Sequence, residues 1–138
     1  QPIEGVIIFR VFLALVFGLI LGFQRESTKV HEKNYGVAGM RTHTIVAMGA
    51  ALVSAIGALA FAADPIRLAA SILTGIGFIG AGTILANSGR IKGLVNAATI
   101  WLAASIGIAV GLGFLATAFV ATIFSILVLE LRRFEKID

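Results

Sequence analysis

Long apolar runs constrain the fold of this chain more than any other feature of its sequence. The longest extends from Leu94 to Leu131 with Glu130 as its only charged residue. At about 38 residues it is too long for one membrane-spanning helix, which needs about 20 apolar residues, and it has the right length for two. Gly111, Leu112 and Gly113 supply a break near its middle. Runs of this length without polar–apolar alternation favour helices over the strands of a membrane barrel.

Three further apolar runs come before this one, and together the runs predict five transmembrane helices. The predicted spans cover about residues 6–23, 44–63, 66–86, 94–112 and 114–131. The hydrophobic share of 59% and the charged share of 13% agree with this, because a soluble globular chain carries about 25% charged residues. We therefore expect an all-α integral membrane protein, in which residues 1–138 form a single transmembrane domain with no C-terminal soluble domain in this chain.

The basic residues lie mostly in the gaps between the predicted spans. With five spans, every Lys and Arg except Arg10 and Arg67 falls on one face of the membrane. The residues on that face are Arg25, Lys29, Lys33, Arg41, Arg90, Lys92, Arg132, Arg133 and Lys136. The positive-inside rule then puts the N-terminus outside and the C-terminus in the cytoplasm. The net charge of +4 is explained by orientation, and we expect the lipid bilayer rather than nucleic acid as a partner.

The short connection between the second and third spans carries a helix-start signal. Asp64 is a natural N-cap and Pro65 is a favoured first helical residue, and Arg67 can reach back to Asp64. Arg10 lies inside the first span, where a cation is costly unless it pairs or extends to the membrane surface. Two interpretations remain: a well-capped turn alone, or an outer-side group in which Asp64 also pairs with Arg10 and joins spans one and three.

Glycine recurs at helical spacing in three of the predicted spans. The positions are Gly18 and Gly22 in the first, Gly75, Gly77, Gly80 and Gly82 in the third, and Gly107 and Gly111 in the fourth. Small residues on one face let helix backbones approach closely in a membrane. The density of glycine predicts that the third span is the central, tightly packed helix. Spacing alone does not separate contacts within the chain from contacts between subunits, and we expect a homo-oligomer, with a dimer favoured.

The third span also contains the pattern G-x-G-x-x-G at residues 75–80, which occurs in dinucleotide-binding proteins. That function requires a preceding strand and an acidic residue about 20 positions later. Residues 75–80 lie inside an apolar run, and no carboxylate occurs near position 100. We therefore interpret the pattern as a helix-packing feature.

Polar residues concentrate where the first, second and fourth spans meet the cytoplasmic membrane edge. We define the polar cluster as Arg25, Glu26, Arg41, Thr42, His43, Asn96 and Thr99. Ionisable groups at a membrane edge are candidates for function, although helix capping and interfacial anchoring explain several of them. Arg41 would close the cluster by pairing with Glu26, and Thr42 would cap the second span.

No arrangement of residues predicts catalysis or a cofactor. The chain has no cysteine, so thiol chemistry and Cys-based zinc sites are excluded. His31 and His43 lie on separate segments and lack the partners of a metal site. We expect a protein that is not an enzyme and that holds neither a metal nor a cofactor.

Five sequence blocks resemble the MgtC/SapB family of membrane proteins over nearly the whole chain. They are Arg25-Glu26 after GLILG, AGMRTHTIVAMGA at 38–50, DPIRLAA at 64–70, GIGFIGAGTIL at 75–85 and KGLVNAATIWLAASIG at 92–107. The resemblance implies a five-helix domain in the bacterial inner membrane, adaptation to low magnesium, survival inside host phagocytes and restraint of the ATP synthase. Two departures stand out: the stretch between Glu26 and Ala38 is longer than is usual in the family, and Gln24 and Val95-Asn96 replace the more typical Glu and Thr-Thr.

Three functions compete. A regulatory protein would bind other membrane proteins through its glycine faces, and the resemblance makes the ATP synthase one candidate partner. A transporter or channel for Mg²⁺ or another small solute would need oxygen ligands, usually carboxylates, along its spans, yet the Asp and Glu residues lie at or beyond the membrane edges. A carrier or flippase-like protein would bind an anionic group near Arg25, Arg41 and His43. The sequence favours the regulatory interpretation.

Overall fold

The computed structural model describes residues 2–28, 38–87 and 90–135 of the chain. Its helices are α1 (Pro2–Ser27), α2 (Met40–Ala60), α3 (Pro65–Ala81), α4 (Leu94–Gly111) and α5 (Leu115–Leu129), and α5 continues into a short 3-10 helix (Glu130–Arg133). Between α3 and α4, strands β1 (Leu85–Asn87) and β2 (Arg90–Lys92) form an antiparallel hairpin with Leu85 opposite Lys92. Lys29, His31, Lys33 and Lys136, which entered the sequence predictions, lie outside the described residues.

Four helical segments are long and apolar enough to cross a membrane in the part of the chain that the structure describes. They are α1, α2, α4, and α5 together with its 3-10 helix. The remaining helix, α3, is apolar but has only 17 residues, which gives about 25 Å at 1.5 Å per residue against a hydrocarbon core of about 30 Å. The all-α membrane class is confirmed, whereas five crossings and the orientation of the termini stay predictions.

The outer surface of the helices is apolar, as a lipid-facing surface must be. Large hydrophobic side chains are exposed along α1 and α5, including Phe9, Phe12, Phe119, Phe124 and Leu127. In water such a surface would be an extended aggregation site. Lipid is therefore the solvent that matches these helices.

The third helix ends at Ala81, so the prediction that it continues to Ala86 is wrong. The N–H groups of Gly82, Thr83 and Ile84 donate to the carbonyls three or four residues earlier, at 3.0–3.2 Å, and this tight turn closes the helix. Glycine weakens a helix by about 1 kcal/mol relative to alanine, and Gly80 and Gly82 fall at this end. Hydropathy alone cannot tell a short apolar strand from the end of a helix.

The central helix of the fold is α4, and the prediction that the third span is central is wrong. Helix α4 contacts α1, α2, α3 and α5, and its buried residues occur along its whole length. By contrast, Gly80 is the only buried residue within α3. Helix α4 is rich in Ala and Gly on several faces, so that neighbouring backbones approach it from several sides, while α3 exposes Ile66, Phe78 and Ile79.

The glycine pairs of α1 and α4 form two seams against α2. A Cβ added at Gly18 would lie 2.9 Å from the His43 carbonyl oxygen, and one added at Gly22 would lie 2.6 Å from the Met40 Cα. On the other side, a Cβ at Gly107 would lie 2.3 Å from the Ala47 carbonyl oxygen, and one at Gly111 would lie 2.7 Å from the Ala51 carbonyl oxygen. Helix α2 is thus held between two glycine-lined surfaces of its own chain.

The glycines of α3 differ from those of the two seams. A Cβ built on Gly75 or Gly77 would have no heavy atom of another described segment within 4 Å. At Gly80 the added Cβ would lie 3.3 Å from the Ala97 carbonyl oxygen, and at Gly82 it meets only carbonyl oxygens of its own helix end. In the described part of the chain, therefore, only Gly80 brings α3 close to a neighbouring helix, and Gly75 and Gly77 lie on its exposed side.

The predicted outer-side pairing of Arg10 with Asp64 is wrong. Arg10 Nη1 instead donates to the Gly111 carbonyl oxygen at 2.8 Å, and the guanidinium lies beside Gly113. The last carbonyls of a helix lack intrahelical donors and carry partial negative charge, so the end of α4 attracts the cation. Asp64 Oδ1 accepts from the N–H groups of Ile66 and Arg67 at 3.0 and 3.3 Å, which confirms Asp64 as the N-cap of α3.

Candidate functional site

The C-terminal end of α1 meets the N-terminal ends of α2 and α4 at one end of the molecule, which we call the polar end. Arg25, in the last turn of α1, is only 4% exposed. Its Nη2 donates to Asn96 Oδ1 at 3.0 Å, and Asn96 lies buried in the first turn of α4. A charged donor strengthens such a hydrogen bond. This contact joins α1 to the central helix through two buried polar groups.

His43 links α2 to α4 in the same region. Its side chain is completely buried, with Nδ1 2.8 Å from the Gly39 carbonyl oxygen and Nε2 2.8 Å from Thr99 Oγ1. Because a carbonyl oxygen only accepts, Nδ1 carries the proton. In the neutral imidazole, Nε2 is then the acceptor for the hydroxyl of Thr99.

The hydroxyl of Thr99 has two acceptors within reach. Thr99 Oγ1 lies 2.8 Å from His43 Nε2 and 3.1 Å from the Asn96 carbonyl oxygen, but a hydroxyl has only one hydrogen to donate. The direction of this hydrogen bond therefore depends on the protonation of His43. Through Thr99 and Asn96, the His43 contact and the Arg25 contact share one turn of α4.

Glu26 stabilises the start of α2 from the neighbouring helix. Its Oε1 accepts from the Met40 N–H at 3.2 Å, and a Cβ on Gly39 would collide with this carboxylate. A negative charge at a helix N-terminus is favourable. The N-cap residue of α2 is Gly39, with no side-chain cap of its own, so the prediction that Thr42 caps this helix is wrong.

The structure brings together four members of the predicted polar cluster, namely Arg25, His43, Asn96 and Thr99. Glu26 lies beside them through Met40. Arg41 is exposed and Thr42 is half-buried, and among the described residues no ion pair joins Arg41 to Glu26. Residue 41 points away because the side chain two positions later, His43, occupies the α4-facing side of α2.

Gln24 and Glu130 form a contact that was absent from the predicted site. Gln24 is buried, and its Nε2 donates to Glu130 Oε2 at 2.9 Å. Glu130 Oε1 also accepts from Arg133 Nε. The contact joins α1 to the end of α5. The sequence does single out Glu130 as a candidate for a polar contact, because it is the only carboxylate in the run 94–131.

Comparison with known proteins decides the family. The sequence model of the MgtC family matches residues 11–136. This chain belongs to the MgtC family.

The curated relatives of this MgtC-family chain come from several bacteria. Protein MgtC of Brucella abortus (strain 2308) is 40% identical over 121 residues, covering 87% of this chain and 48% of the relative. A protein of Escherichia coli (strain K12) named "Putative magnesium transporter YhiD" is 37% identical over 132 residues, covering 89% of this chain and 59% of the relative. Protein MgtC of Salmonella typhimurium (strain 14028s / SGSC 2262) is 37% identical over 116 residues, covering 84% and 48%.

The MgtC-family chain thus spans about half the length of the curated relatives it matches. No solved structure matches it. The matched region includes α2, α3, α4 and α5 with most of α1. The buried contacts at the polar end therefore lie inside the region that defines the family.

The chemistry at the polar end of this MgtC-family domain is that of a guanidinium, an imidazole, an amide and a hydroxyl. Over residues 2–28, 38–87 and 90–135, no three metal-binding side chains of the His, Cys, Asp or Glu type form a group. The carboxylates in these ranges lie at or just beyond helix ends and are Glu4, Glu26, Asp64, Glu130 and Glu135. The hydrogen bonds of Arg25, Glu26 and His43 join the ends of α1, α2 and α4 to one another.

Proposed function

We propose that this chain is a multi-pass protein of the bacterial inner membrane that serves magnesium-related adaptation by binding other membrane proteins. The magnesium connection follows from the name of the relative YhiD and from the resemblance to the MgtC/SapB family. In the proposed topology all five helices cross the membrane, and the polar end faces the cytoplasm, because the basic residues gather there.

The open face of α3 carries this proposal. In the described part of the chain, Cβ atoms built on Gly75 and Gly77 meet no neighbouring segment within 4 Å. Gly75 shares a helix face with the exposed Ser71 and Thr74, and Gly77, two positions later, lies at the other edge of the exposed side. Glycine in a helix costs about 1 kcal/mol relative to alanine. Small residues offset that cost when a neighbouring helix packs on them. Gly18, Gly22, Gly107 and Gly111 already contact α2, whereas Gly75 and Gly77 have room for a helix of another molecule.

Two occupants of this face fit the proposal. A second copy of the chain would make α3 a dimer seam, in line with the homo-oligomer expected from the sequence. A subunit of another membrane protein would make it a regulatory contact, and the family resemblance makes the ATP synthase a candidate. Both are helix-on-helix contacts through small residues.

The experiment is purification of the tagged protein from native membranes with and without a blocked α3 face. A double variant, Gly75→Leu with Gly77→Leu, adds two large side chains to α3 at positions where a Cβ meets no neighbouring segment of the described chain. The matched control is Gly49→Leu, which lies at an equally open position on α2. We expect the wild type and Gly49→Leu to retain a stoichiometric membrane partner and the double variant to lose it. Full retention by the double variant would overturn the proposal.

A transporter is the second candidate, because one relative bears the name "Putative magnesium transporter YhiD". The described carboxylates at helix ends argue against it, since Mg²⁺ dehydrates reluctantly and prefers oxygen ligands. Purified protein in liposomes that contain a Mg²⁺-sensitive dye distinguishes the two functions. We expect no protein-dependent flux, and flux that requires the protein would favour the transporter.

A further inference from the structure

Because α3 ends at Ala81, the β1–β2 hairpin follows it at the polar end of the molecule. Gly80, one residue before the helix ends, packs on Ala97 in the first turn of α4. The last turn of α3 therefore lies beside the start of α4, and the chain between Ala81 and Leu94 must lie at that same membrane edge. This segment contains the β1–β2 hairpin.

The base of the hairpin is held against both helices. Thr83 Oγ1 donates to the Gly80 carbonyl oxygen at 2.7 Å, which ties the turn to the end of α3. Gly93 adopts a left-handed conformation with φ of 91°, and a Cβ there would lie 2.0 Å from the Thr83 carbonyl oxygen. Only glycine fits this position without strain. The two ends of the hairpin are thus fixed side by side at the membrane edge.

Four large apolar side chains are exposed around this base. Ile84 is 38% exposed, Ile91 61%, Leu94 57% and Val95 49%. A two-stranded hairpin is marginally stable by itself in water, and the described residues leave a large part of each of these side chains exposed. The surrounding end of the molecule is basic, with Arg41, Lys92 and Arg133 among its described residues. Apolar side chains beside basic ones are typical of segments that lie in the membrane interface.

We propose that the hairpin base, defined as Ile84, Ile91, Leu94 and Val95, is embedded in the interfacial region of the lipid leaflet at the polar end. The lipids that fit this surface carry anionic headgroups, because Lys92 follows Ile91 directly and Arg41 and Arg133 lie at the same end of the molecule, where such cations attract anionic lipid. The hairpin then completes the membrane crossing that α3 begins, as an interfacial wedge rather than as a water-exposed loop. This inference concerns the lipid contact of the hairpin and is independent of what binds to α3.

The cysteine-free sequence makes a direct test possible. Single variants Ile91→Cys and Leu94→Cys are reconstituted into vesicles of phosphatidylethanolamine and phosphatidylglycerol and treated with a membrane-impermeant maleimide. The controls are Glu135→Cys beyond the last helix and Phe124→Cys on the lipid-facing side of α5. We expect both hairpin-base variants to react at least about tenfold more slowly than Glu135→Cys, the factor that corresponds to about 1.4 kcal/mol.

Spin labels on the same cysteines identify what shields them. A spin label that collides with oxygen but not with a water-soluble nickel chelate lies in lipid, and this is the result expected for Phe124→Cys. Reaction of both hairpin-base variants at the rate of Glu135→Cys would overturn the proposal, and so would shielding from oxygen and nickel alike, which indicates burial in protein. Two variants are used so that failure of one to fold leaves the other informative.

The headgroup assignment is tested by repeating the measurement in vesicles of phosphatidylcholine alone. We expect the labels at the hairpin base to become more accessible to the nickel chelate when the anionic lipid is absent. Unchanged accessibility would overturn the assignment to anionic headgroups.

Discussion

Individual side chains at the polar end decide how three helix ends are joined. Arg25 reaches Asn96, and His43 reaches Thr99, so that α1 and α2 both bond to the first turn of α4. These residues are predicted as a group because they are the polar residues that flank three apolar runs at the same membrane edge. Their individual partners could not be predicted. Whether Arg41 of α2 or Asn96 of α4 faces the end of α1 depends on how α2 and α4 are rotated about their axes, and hydropathy does not determine that rotation.

The contact between His43 and Thr99 gives a prediction at this scale. Thr99→Val keeps the shape of the side chain but leaves the buried His43 Nε2 without its hydroxyl partner. An unsatisfied buried polar group costs about 1–3 kcal/mol, so the melting temperature in detergent should fall. Thr99→Ser, which restores a hydroxyl, should recover most of the loss.

The control for this prediction is Thr117→Val, the same substitution at an exposed position of α5. It should leave the melting temperature unchanged. If Thr99→Val melts like Thr117→Val, the hydrogen bond to His43 contributes nothing to stability and our description of this contact is wrong.

At the scale of helices and strands, the sequence predicts the existence of elements better than their ends and partners. Asp64 and Pro65 mark the start of α3 correctly because an N-cap signal is local. The end of α3 and the hairpin were missed because Ile84, Leu85 and Ala86 continue the apolar run of the helix before them. Gly18 and Gly107 signal close approach, but which helix approaches them is a tertiary property, and only the structure identifies α2.

The glycine seams give a prediction at the scale of helix pairs. Gly107→Ala would place a methyl group 2.3 Å from the Ala47 carbonyl oxygen, so α2 and α4 must move apart. Overpacking of this kind costs about 1–3 kcal/mol. The same substitution at Gly77 meets open space and gains about 1 kcal/mol of helix propensity.

Thermal unfolding in detergent compares these two variants. Gly107→Ala should melt below the wild type, and Gly77→Ala should melt at or above it. An order reversed between the two would show that α2 does not pack on α4 through this seam.

The whole molecule has a packed centre and an open side. Helix α4 is the centre, α2 fills the space between the glycine seams, and α3 and α5 lie at the periphery. The other glycine-rich stretches predicted from the sequence contact a helix of this chain, whereas Gly75 and Gly77 contact none among the described residues. The central claim of our account is that the open face of α3 is occupied by a helix of another protein molecule in the membrane.

Photo-cross-linking in native membranes tests that claim most directly. A photoactivatable reagent is attached to Gly77→Cys and, as the control, to Gly49→Cys, which is equally open but lies on α2. We predict a discrete protein adduct from Gly77→Cys, either with a second copy of the chain or with another membrane protein, and lipid adducts alone from Gly49→Cys. Lipid adducts alone from both positions would contradict the account.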